Sequence, residues 1–159
     1  MSILIKIISL ALFSTFVFAG DEKITLPNST EQQTIKTWAP NPLELQKALE
    51  VTNEFINELE EGDPSPGWRL VSDDLKVLVP KKDWESVFLV LRDNYGKRKS
   101  SEFNRAIKTD KLPSGLAGDI IAVILLTQFE KEKIAETVTL VNKEDSWYLA
   151  SYNYQLIEQ

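Results

Sequence analysis

Apolar positions recur along this chain with two periods, about 3.6 residues in its first half and about two in its second. Asn41-Pro42-Leu43-Glu44 opens the helical part. Asn41 can accept from an unpaired N–H, Pro42 suits the first helical position, and Glu44 can reach back to the start. Leu45, Ala48, Leu49, Thr52, Phe55, Ile56 and Leu59 then form one stripe, and Gly62 ends it. Glu50, Glu54, Glu58 and Glu61 fall off the stripe, where a solvated face is expected. Ser65-Pro66 restarts a short helix carrying Trp68, Val71 and Leu75. Lys81-Lys82-Asp83 opens a third, with Trp84, Val87, Phe88 and Leu91 on one side and Gly96 just beyond. A tryptophan in each of these helices predicts core anchors.

From Lys97 the period shortens, and residues 97–109 read as a first strand. Leu112-Pro113-Ser114-Gly115 turns the chain into Gly118 to Phe129, a strand apolar on both alternations. Glu130 to Lys133 is a charged tip, Glu136 to Val141 a third strand, and Trp147 to Leu156 a fourth. Short connections predict an antiparallel meander, and helices followed by strands predict an α+β fold: N-terminal helices on a four-stranded sheet. The helices can cover one face of the central strand, assigned to Ile121, Val123, Leu125 and Phe129. The other face, Ile120, Ala122, Ile124 and Leu126, would be an open apolar patch, which leads to the expectation of a homodimer packed sheet against sheet.

Ahead of this domain, residues 1–19 read as a signal peptide: Lys6 for the positive region, an apolar run to Phe18, and Val17-Phe18-Ala19 before Gly20. The run is short for a membrane anchor, so no transmembrane segment is expected in the mature chain. Residues 20–40 read as a flexible polar tether and 41–159 as a single domain. The expected location is outside the cytoplasm, periplasmic in a Gram-negative host and secreted otherwise.

The chain has 18 basic and 24 acidic residues, a net charge of −6, and no histidine or cysteine. That excludes a Ser-His-Asp triad, a cysteine nucleophile, a disulfide framework and the common zinc sites. No metal site or cofactor is predicted, and an acidic chain is a poor generic binder of nucleic acid. The charge is uneven, and residues 76–111 carry 10 bases against 5 acids. Solvated faces account for this most simply. Within it, Lys97-Arg98-Lys99 would point to alternate faces of a strand and guard its edge.

Several residues together carry a resemblance: Trp84 and Arg92, Gly96, Leu112-Pro113 leading to Gly118-Asp119, Phe129, Glu136-Thr137-Val138-Thr139-Leu140, Trp147 and Tyr152. In their order and spacing, from about Leu45 to Leu156, the chain resembles an uncharacterised bacterial exported family, domain of unknown function 4019. The resemblance implies an exported α+β domain with a helix against a curved sheet, as in cystatin-like or ketosteroid-isomerase-like cones. It implies no reaction. The family usually has Arg where this chain has Ser101, an aromatic residue at Ile120, and Gly at Ser151, where a bulge would be easiest.

The candidate ligand-binding residues are Arg92, Asp119, Glu136 and Tyr152. Arg92 could face an anionic ligand, or complement the end of its helix and pair with Asp119 or Glu136. No residue is assigned a catalytic role. The expectation is a non-catalytic domain that binds a small ligand or supports an envelope protein assembly. The alternative is a small-molecule enzyme using a carboxylate and Tyr152 in a pocket between helix and sheet.

Overall fold

The computed structural model describes residues 35–60 and 66–157. Helix α1 (Pro42–Glu60) begins as its sequence predicts. The Asn41 N–H donates to Glu44 Oε2 at 3.0 Å, and the Glu44 N–H donates to Asn41 Oδ1 at 2.9 Å. This reciprocal pair satisfies two donors that a helix start leaves open. The predicted stop at Gly62 lies outside the described residues, as do Glu61, the signal peptide and most of the tether.

The single short helix expected after Ser65 is instead two pieces, a 3-10 turn at Pro66–Leu70 and helix α2 (Asp73–Leu78). Val71 and Ser72 between them are drawn to the sheet, where the Ser72 N–H donates to the Leu149 carbonyl at 2.8 Å. Ser72 then caps α2, its Oγ accepting the Leu75 N–H at 3.3 Å. A β-branched residue followed by a good N-cap favours such a break. Helix α3 (Lys81–Tyr95) ends at Gly96, whose φ is +81°. A Cβ there would also meet Glu130 Cβ at 2.8 Å, so glycine serves both the helix exit and the close approach of the turn at Glu130.

The sheet runs β1 (Thr37–Trp38), β2 (Arg98–Lys111), β3 (Ala117–Phe129), β4 (Lys133–Lys143) and β5 (Ser146–Leu156), antiparallel and in that order. The α+β fold and the meander of β2 to β5 agree with the sequence. The number of strands does not: there are five. Thr37 and Trp38, in the stretch read as tether, pair with Thr109 and Lys108. Two residues show no alternation to read, and the open edge of β2 supplies their pairing.

Inside, the stripe of α1 meets Ile121, Val123 and Leu125, the face assigned to the helices, with Val138 and Leu140 beside them. Phe55 packs edge-on against Phe88, ring centroids 5.6 Å apart, and Trp84 meets Phe88 at 5.1 Å. Trp84 is buried, as its role of anchor requires. Glu58 departs from the expected solvated face, because its carboxylate pairs with Arg69 and its side chain is only 15% exposed. Glu54 shares the same guanidinium from a more open position.

The far side of β3 also departs from expectation. Ile120 is 0% and Ile124 5% exposed, Ala122 and Leu126 are half-buried, and Val141 opposite Ile120 is closed off as well. The described helices pack on the other face. The expected patch is thus not open at Ile120 and Ile124.

Candidate functional site

Alternation along β4 turns Glu136 inward with Val138 and Leu140, and it is completely buried. Two strands away, the first residue of β2 reaches it across the Phe129 ring, with the Arg98 guanidinium carbon 5.1 Å from the ring centroid. Arg98 Nη1 donates to Glu136 Oε2, and Nη2 donates to Oε1 at 2.9 Å. The Thr127 hydroxyl donates to Oε2 and the Tyr152 hydroxyl to Oε1. Each carboxylate oxygen thus accepts twice, which fills the acceptor capacity of the group. Because the Thr127 proton goes to Glu136, the Ser101 hydroxyl, 2.8 Å away, is the donor to Thr127. The position where the family usually has Arg is therefore a hydroxyl at the outer end of this network.

Tyr152 arrives there through a slip in register. Thr139 pairs with Ser151 but Leu140 with Leu149, which leaves Ala150 as the extra residue on β5. The bulge forms without a glycine. It changes the alternation of β5, so that Tyr152 lies opposite Val138 on the same face as Leu149. Burial pushes the Tyr152 phenol well above its ordinary value, the Glu136 charge pushes the same way, and Arg98 opposes both.

The remaining two candidates lie elsewhere. Asp119 is six residues along β3 from the partner of Glu136, about 20 Å at strand spacing. It pairs with Lys108 at 2.7 Å and accepts from Asn142 at 3.4 Å, while Lys108 also pairs with Glu44. Arg92 is exposed and pairs with neither Asp119 nor Glu136. The role at the end of α3 belongs to Lys131, whose ammonium donates to the Asp93 and Asn94 carbonyls at 3.2 and 3.1 Å. The structure joins Glu136 with Tyr152 and leaves Arg92 and Asp119 apart.

Arg92 does line a half-open cavity of about 300 Å³ between α1, α3 and the start of β2. Its walls are Leu59, Phe88, Leu91 and Phe129, with Gly96, Lys97 and Arg98 completing it beside Arg92. Among the described residues that line it, the charged ones are all basic and the rest are apolar or glycine. Among the described residues no group of three His, Cys, Asp or Glu is placed to hold a metal ion. No described helix is long and apolar enough to cross a membrane. Arg98 and Lys97 were not singled out as site residues by the sequence. The signal that could have found Arg98 was its parity within Lys97-Arg98-Lys99, since only the middle residue of the three turns inward.

Residues 51–152 match the family described as "Protein of unknown function (DUF4019)". No curated protein and no solved structure matches.

Proposed function

The chain belongs to the DUF4019 family, and from that premise we propose that it is an exported, non-catalytic domain that takes a small ligand into the cavity beside Arg98. The observation that carries this reading is a pre-formed apolar recess with side-chain cations at its mouth. A general acid or base must come within hydrogen-bond reach of its substrate. Glu136 has no free acceptor site and no exposed surface, and its partners Tyr152 and Thr127 are spent on it. This speaks against the enzyme that would use a carboxylate and Tyr152. Mass spectrometry under native conditions tests the reading: a small molecule carried through purification supports it. A chain that never carries one favours the envelope-assembly role instead.

Export rests on the leader pattern of residues 1–19, and a likeness to cystatin-like cones rests on one long helix laid against an antiparallel sheet. N-terminal sequencing of exported protein should begin at Gly20; retention of Met1 would refute cleavage. A homodimer through Ile120, Ala122, Ile124 and Leu126 is supported by the apolar side chains that β3 carries on this face as well as on the one that meets the helices. Light scattering on a chain starting at Gly20 decides it. A soluble monomer, unchanged by Ile124→Gln with Leu126→Glu, removes the dimer.

A further inference from the structure

We infer that the cavity takes an amphiphilic anion, a carboxylate or phosphate head carried on a short apolar body. The inference rests on the ligand-binding reading above and names the chemistry of the ligand. Two kinds of surface meet in the recess. Phe88, Leu91 and Phe129 give it an apolar floor, and Arg92 and Lys97 stand at its mouth. The cations are not equivalent. Arg98 already gives one N–H from each terminal guanidinium nitrogen to Glu136, so its forked pair of donors is committed to that carboxylate. Among the described residues the Lys97 ammonium makes no hydrogen bond, although its field, after the Lys97 N–H and Lys99, helps to hold the Glu130 carboxyl below its ordinary range. Arg92 has no ion pair among the described residues.

Among the described residues that line the cavity, the charge is therefore positive even after the internal pairs are counted. Glu136 offsets Arg98 and Glu130 offsets Lys99, which leaves Arg92 and Lys97. A planar guanidinium fork matches two oxygens of a carboxylate or phosphate, and a lysine adds a point charge. A volume of about 300 Å³ is at the small end for ligand pockets, which limits the body to a short chain or one ring. A neutral apolar molecule would leave both cations unused. A bare inorganic anion would leave the apolar floor wet.

Octanoate, octyl phosphate, octanol and inorganic phosphate separate these cases, followed by the amide shifts of Gly96, Lys97 and Phe88 in NMR titrations of the chain starting at Gly20. The expected result is saturable binding of octanoate, octyl phosphate or both, and the arm that binds more tightly identifies the head group. Arg92→Gln and Lys97→Gln should each weaken it about tenfold, the scale of one lost charge-assisted hydrogen bond. Both side chains are exposed, so neither change threatens the fold. Octanol binding as tightly as the anions, or anion binding untouched by both substitutions, would overturn the inference while leaving a ligand cavity in place. No response to any amphiphile would overturn both.

Discussion

Strand β2 presents an inward cation to a carboxylate near each of its two ends, with opposite consequences. At one end Arg98 and Glu136 have side chains 5% and 0% exposed, and Thr127 and Tyr152 complete the acceptor set. At the other, Lys108 is 14% exposed between Glu44 at 24% and Asp119 at 37%. The chemistry of the pairs is alike, and solvent is what differs. Water can replace a partner lost from the Lys108 cluster. Nothing can replace one lost from the Arg98 cluster, because removing either charge strands the other in the core. Buried, the pair is a fixed part of the core beside the cavity; half-exposed, it is a tie between α1 and the sheet.

The largest test of this contrast is Glu136→Ala. It leaves the Arg98 guanidinium buried without its counter-charge and should cost about 3–5 kcal/mol in urea unfolding. That is on the scale expected for Trp84→Ala, about 3–5 kcal/mol from packing and cavity alone. A loss below about 1 kcal/mol for Glu136→Ala would mean that water reaches Arg98, and the two clusters would be of one kind.

Tyr152→Phe is the next step down. It removes one hydrogen bond to the carboxylate while Arg98 Nη2 still serves Oε1, so the expected cost is about 1.5 kcal/mol, the low end for bonds to charged groups. The phenol also predicts a pH dependence. Its folded pKa lies well above the ordinary 10.0, so its contribution is complete below pH 10.0. Above that the unfolded chain releases the proton first, and stability falls until the folded phenol itself ionises. Tyr152→Phe should flatten this alkaline decline. An unchanged slope would assign the decline to other groups.

How much of this could be read from sequence depended on the range of the signal. The capping box of Asn41 and Glu44, the stripe of α1 and the four long strands are local patterns, and they appear where the chain predicts them. β1 was not legible, because its two residues take their structure from β2. The division at Val71 and Ser72 likewise depends on Leu149, far along the chain. Glu136 and Tyr152 were legible as inward polar residues, but their meeting required the bulge at Ala150. Arg98 was hidden by its neighbours, since Lys97 and Lys99 are exposed and made the run look like an edge device. Arg92 is legible as a candidate cation, yet the partner roles its position suggests belong to Arg98 and Lys131.

The smallest expected effect is at the other pole of the comparison. Lys108→Ala removes two ion pairs at once, yet both carboxylates keep solvent contact and Asp119 keeps Asn142. The cost should be about 0–1 kcal/mol, as for partly exposed pairs, and should shrink further in high salt. An acid titration separates the two ties on Glu44. Its carboxyl is held below the ordinary 4.5 by the bond from Lys108 first and the Asn41 backbone N–H after it, against the opposing pull of burial. A lowered folded pKa contributes stability above pH 4.5, and that contribution is lost as pH falls through the folded value. Lys108→Ala should reduce the acid-dependent loss without abolishing it, since the Asn41 N–H still favours the ionised form. If the substitution cost as much as Glu136→Ala, the Lys108 cluster would have to be as dry as the Arg98 cluster, and exposure would not be what distinguishes them.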